Sequence, residues 1–119
     1  MVNKNRGEVA IKFGNKQYVM RPTFHALSSL ETELNRSIID VLLQFSESKP
    51  KLLEIVAIIY YGVQAYSVEV LDREKIGELI CEAGIVNIMP KIFEFLENGL
   101  GIAELSSAGV AFPSQVSCP

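Results

Sequence analysis

The run Lys51-Leu52-Leu53-Glu54-Ile55-Val56-Ala57-Ile58-Ile59-Tyr60-Tyr61-Gly62-Val63-Gln64-Ala65 is apolar on nearly every side of a helical wheel. A helix of that kind must be enclosed by its neighbours. Leu52, Ile55, Val56, Ile59 and Val63 form the main buried stripe, and Ile58 and Tyr61 point to the side shared with Glu54 and Ala65. That second side is covered either by another element of the same chain or by a docking polypeptide. The unbroken apolar part, Ile55 to Val63, is far short of the ~20 residues needed to cross a bilayer. The helix is therefore read as interior to a soluble domain, with no membrane partner.

Upstream, Ser46-Glu47-Ser48-Lys49-Pro50 is a loop by composition, with Pro50 suited to the first turn of the next helix. Before it, Ile38-Ile39-Asp40-Val41-Leu42-Leu43-Gln44-Phe45 reads as a helix, and Ser37 with Asp40 has capping-box-like spacing. An earlier helix starts near Phe24 with Thr23 as N-cap, placing Phe24, Leu27, Leu30 and Leu34 in one apolar arc. Glu31 sits at the edge of that arc, where a carboxylate is costly unless paired. Arg21 and Arg36 are the expected partners in a structural ion pair.

The chain opens with strands. Val9, Ile11 and Phe13 alternate with polar neighbours, and Gln17-Tyr18-Val19-Met20 follows Gly14-Asn15-Lys16, a short loop with a residue free to take positive φ. This is a β-hairpin pattern. A lone two-stranded ribbon is marginal in water, so its apolar face must rest on the helices. Arg21-Pro22 ends the second strand, since proline biases the residue before it toward extended geometry.

Downstream, Tyr66 to Leu71 is ambiguous between a loop and a short extended piece. Asp72 looks like an N-cap for a helix with Ile76, Leu79, Ile80 and Ala83 inward and Gly84 as its stop. A last helix carries Ile88, Met89, Ile92, Phe93, Phe95 and Leu96 on one broad face, with Lys91, Glu94, Glu97 and Asn98 on the other, and ends at Gly99. The expected fold is α+β and predominantly helical: an N-terminal β-hairpin (8–20) packed on a bundle of about five short helices (about 24–34, 38–46, 51–65, 73–83 and 87–98). Residues 1–101 form a single globular domain and 102–119, rich in Ser, Ala, Gly and Pro, a flexible tail.

One domain is what 119 residues allow, and 49% apolar composition suffices for one core. Charge is polarised. Lys4, Arg6, Lys12, Lys16 and Arg21 against Glu8 give residues 1–21 a charge of +4, while the rest holds six basic and thirteen acidic side chains, or −7. The acidic helices do not suit entry into a DNA groove, so no specific nucleic-acid partner is expected. Cys81 and Cys118 imply no disulfide framework, and the polar first residues contain no secretion signal; a cytoplasmic protein is expected.

Catalytic equipment is sparse. His25 is the sole histidine and lies on the polar side of its helix, without a second His or Cys at zinc-ligand spacing. No glycine-rich phosphate loop precedes a helix. Glu74, Glu78 and Glu82 repeat every fourth residue as a solvated stripe. The reading is a non-enzymatic protein with no cofactor and no metal.

One set of motifs is distinctive. Arg6-Gly7-Glu8-Val9, then a short strand, then Arg21-Pro22-Thr23-Phe24 with Ala26, Leu27, Leu30 and Glu31, resembles the opening of the gene transfer agent and phage tail assembly chaperone family. The similarity extends more loosely through the helix at 52–65 and Gly77-Glu78-Leu79-Ile80-Cys81-Glu82-Ala83-Gly84. It implies a chaperone that binds the tape measure protein, or another tail protein, during tail morphogenesis. Members also carry the label of tail tube protein, so a structural tube subunit that forms a homo-oligomer is the alternative, and a generic small interaction domain the third. For such a role Ile58, Tyr61, Phe93 and, in the tail, Phe112 are the candidate partner-binding residues: burial of apolar surface supplies affinity, and a charged rim limits clumping.

Overall fold

A computed structural model of the chain describes residues 7–47, 50–68 and 71–101. The order is β1 (Val9–Phe13), β2 (Lys16–Met20), α1 (Phe24–Leu34), α2 (Ile38–Ser46), α3 (Leu52–Tyr66), α4 (Arg73–Ala83) and α5 (Ile85–Leu100). The α+β, mainly helical class read from the sequence is the observed one. Phe112 and the expected flexible tail lie outside the described residues.

β1 and β2 pair antiparallel with Val9 opposite Met20 and Phe13 opposite Lys16. The turn is therefore two residues, Gly14-Asn15, and Lys16 already belongs to β2. Gly14 has φ 63°, the positive value a type II′ turn needs at its first central position. Val9, Ile11 and Phe13 face inward as their alternation predicts.

The hairpin rests on helices. β2 lies against α3, and β1 against α5 and α4. Contact with α3 is close because Gly62 has no side chain: a Cβ there would stand 2.9 Å from Met20 Cβ and 3.1 Å from Phe95 Cε1. One residue on, the Arg21 N–H donates to the Gly62 carbonyl at 3.0 Å. α3 also touches α1, α4 and α5, so it is the central beam its composition requires.

Caps set the helix starts. Thr23 Oγ1 accepts from the Ala26 N–H at 3.1 Å, and Ser37 Oγ from the Asp40 N–H at 3.0 Å. α1 ends at Asn35, whose φ of 57° is a left-handed cap. Lys51 occupies the N-cap position of α3, which puts Pro50 just before the helix instead of in its first turn. α5 runs on through Gly99, which approaches Leu27 where a Cβ would meet Leu27 Cδ1 at 2.8 Å; the helix ends at Gly101.

Two expected burials are reversed. Phe24 is 86% exposed, and Ala26 joins the expected Leu30 among the buried residues as α1 packs on α3. Glu97, expected on a polar face, is buried, since α5 is surrounded by α2, β1, α4 and α3.

Candidate interaction groove

α3 and α4 pack together. Between them runs an open groove of about 690 Å³, lined by Leu52, Leu53 and Val56 from α3 and by Gly77 and Cys81 from α4. Leu53 is 79% exposed and Leu52 39%, so the first turn of α3 presents apolar side chains to solvent. A Cβ added to Gly77 would find only Val56 Cγ2, at 3.9 Å. Packing does not demand a glycine there. Within a helix it costs about 1 kcal/mol relative to alanine, and its missing methyl leaves the groove floor open.

The rim is acidic. Glu33, Glu74, Glu78 and Glu82 line the groove with one cation, Arg73. That cation is occupied: Arg73 Nη1 donates to Glu33 Oε2 at 2.6 Å and Nη2 to Glu33 Oε1 at 2.7 Å. Tyr61 Oη donates to Glu33 Oε1 at 2.8 Å, and the Arg73 guanidinium carbon stands 4.4 Å from the Tyr60 ring centroid. These contacts tie α1, α3 and α4 together at one end of the groove. The Arg73 hydrogen bonds hold the Glu33 carboxyl below its usual range, and Glu33 raises the Arg73 guanidinium. The carboxylate beside it pushes the Tyr61 hydroxyl upward.

Each sequence candidate has a definite place. Ile58 is fully buried in the core, so it offers no surface to a partner: of the two covers open to that side of α3, the chain itself supplies the one over Ile58. Tyr61 is half-buried and committed to Glu33 and Arg73. Phe93 is half-buried against the core and does not line the groove. The structure thus does not bring Ile58, Tyr61 and Phe93 together into one site.

The ion-pair expectation is corrected as well. Arg21 bonds Glu8, with Nε at 2.7 Å, and Arg36 Nη2 bonds Glu54 Oε1 at 2.7 Å. Glu31 takes neither cation; its Oε2 accepts the Ile38 N–H at 2.9 Å, a free donor at the start of α2. Arg36 Nε is buried without a hydrogen-bond partner among the described residues.

Sequence reasoning missed Leu52, Leu53 and the glutamates as a set. Leu52 was assigned to the buried stripe, and the acidic repeat to open solvent. A signal was present in Leu52-Leu53 directly after the polar Lys51, at a helix start where few neighbours are available. His25 belongs to a separate polar hollow with Ser28, Ser29, Thr32, Glu33 and Tyr61. Ser28 and Thr32 turn their hydroxyls back to carbonyls of their own helix. Among the described residues no group of three or more His, Cys, Asp or Glu is placed to hold a metal ion, and no helix is long and apolar enough to cross a membrane.

Comparison with known families returns a match over residues 6–101 to the family described as phage tail tube protein, GTA-gp10. No curated protein and no solved structure matches.

Proposed function

Because the chain belongs to the phage tail tube protein, GTA-gp10 family, and is thus a phage-like tail protein, we propose that it acts as a non-enzymatic tail assembly chaperone. It binds the tape measure protein in the cytoplasm and keeps that protein's apolar helical segments soluble while a tail is built. The single observation that carries this reading is the groove between α3 and α4, an apolar floor left uncovered at Leu52 and Leu53 and rimmed by carboxylates. Uncovered apolar surface with a polar rim marks an interaction site. An amphipathic helix laid into a groove is one recurring way to use it.

The test is co-expression with a phage-like tape measure protein. Co-purification that is lost in Leu53→Asp, with an unchanged melting temperature, supports the reading; co-purification unaffected by Leu53→Asp moves binding elsewhere. The family description favours a second reading, a structural tube subunit. In that case the protein is recovered from purified particles and forms rings on its own, whereas a chaperone is absent from finished particles.

A further inference from the structure

We propose that the occupant of the α3–α4 groove is a cationic amphipathic helix, one whose apolar face is flanked by Lys or Arg; this rests on, and deepens, the reading of the groove as a tail-protein site. Charge complementarity carries it. Of the four rim carboxylates, Glu33 already bonds Arg73, whereas Glu74, Glu78 and Glu82 are exposed and have no ion pair among the described residues. They stand at every fourth position of α4, so their Cα atoms follow the groove for about 12 Å, roughly two turns of a facing helix. Leu52, Leu53, Val56 and the bare backbone at Gly77 supply the apolar strip beside them. A helix seated there places its own flanking side chains against that line of carboxylates. Lysines or arginines at those positions gain three partners, while glutamates meet like charge.

A second copy of this chain is the competing occupant, since Lys12 and Lys16 project from the exposed side of the hairpin. Those lysines flank no exposed apolar strip, because Val9, Ile11 and Phe13 are turned into the core. The hairpin therefore answers the rim and leaves the floor uncovered.

Three peptides of about 15 residues, sharing one leucine-rich face and flanked by Lys, Gln or Glu, test this by fluorescence titration against the whole protein. The Lys peptide is expected to bind about tenfold more tightly than the Glu peptide at low salt, and the gap to close as salt shortens the reach of charges. Glu74→Gln/Glu78→Gln/Glu82→Gln is expected to bring all three peptides within about twofold of one another; the three side chains are exposed, and circular dichroism verifies the fold of that variant. Alkylation of Cys81 in a Cys118→Ser background reports the groove directly, and the Lys peptide is expected to protect it. Equal binding of the three peptides, or an undiminished preference in the triple variant, overturns the proposal. So does salt-sensitive self-association that the triple variant abolishes, which assigns the groove to a second copy. If the tape measure protein co-purifies through Leu53 while no cationic preference exists, this inference fails and the chaperone reading stands. A cationic preference without tape measure binding gives the converse.

Discussion

Glu8 and Arg21 face each other one step beyond Val9 and Met20, the last pair of the hairpin ladder, with Arg21 Nη2 2.6 Å from Glu8 Oε2. The Glu8 side chain is 1% exposed. This contact joins the Gly7-Glu8-Val9 and Arg21-Pro22-Thr23-Phe24 strings into one device, and Gly7 packs beside the Pro22 ring. Arg21→Met should lower unfolding stability by about 2–3 kcal/mol, less than for a fully buried pair because the arginine is partly solvated. Urea denaturation checks it, and a loss under ~0.5 kcal/mol would assign the pair to the surface class.

Gly62→Ala should destabilise despite alanine's helix preference of about 1 kcal/mol. Its methyl would be forced to within 2.9 Å of Met20 and 3.1 Å of Phe95, both fully buried. Overpacking of that kind costs about 1–3 kcal/mol. A melting temperature at or above that of the parent would contradict the close approach of β2 and α3.

Gly77→Ala should do the reverse to stability and harm binding. Its Cβ meets Val56 at an ordinary 3.9 Å, so helix propensity alone acts, raising stability by up to about 1 kcal/mol. The methyl also shallows the groove floor. Thermal melts and titration with the Lys-flanked peptide should therefore move in opposite directions.

The Glu33–Arg73 pair predicts an acid-side loss of stability. The folded Glu33 carboxyl lies below its usual 4.5, so the unfolded chain binds more protons in the interval between the two values. The contribution is complete above the unfolded value and disappears as pH falls through the folded one. Because both side chains are about a third exposed or more, solvent screening limits it to about 0.5–1 kcal/mol. Comparing Glu33→Gln with the parent by urea midpoints from pH 3 to 7 (about the span fixed by the carboxylate range) should give curves that converge at the acid end.

Ile58→Asp and Leu53→Asp separate core from surface. The first places a carboxylate in a fully enclosed site and should unfold the domain. The second alters a side chain already in solvent and should leave the melting temperature within about 2–3 °C, since surface changes stay within about 0.5 kcal/mol. Circular dichroism distinguishes them.

What could be read from residue order was set by local rules. Alternation at Val9, Ile11 and Phe13 gave the hairpin, and Thr23, Ser37 and Gly84 marked helix ends through capping chemistry. α3 marks where such reading stops. A helix apolar all round declares that it will be covered, but which side is left over depends on where α4 lands. Leu53 and Ile58 are chemically alike, and tertiary packing alone decides that one is solvated and the other sealed. The Glu8–Arg21 pair was hidden by a single-residue matter of register. With Lys16 counted in the loop, Phe13 pairs with Gln17 and Arg21 falls opposite Val9; with Lys16 paired to Phe13, Glu8 faces Arg21.

Asn98 Nδ2 donates to the Gly7 carbonyl at 3.1 Å, across ninety-one positions of sequence. β1 also lies against the last helix, so on a ribosome the first-made strand lacks part of its cover until α5 has emerged. The inward side chains of β1, Val9 and Ile11 among them, meanwhile lack the packing that α5 completes. A domain closed in this order spends most of its synthesis incompletely packed.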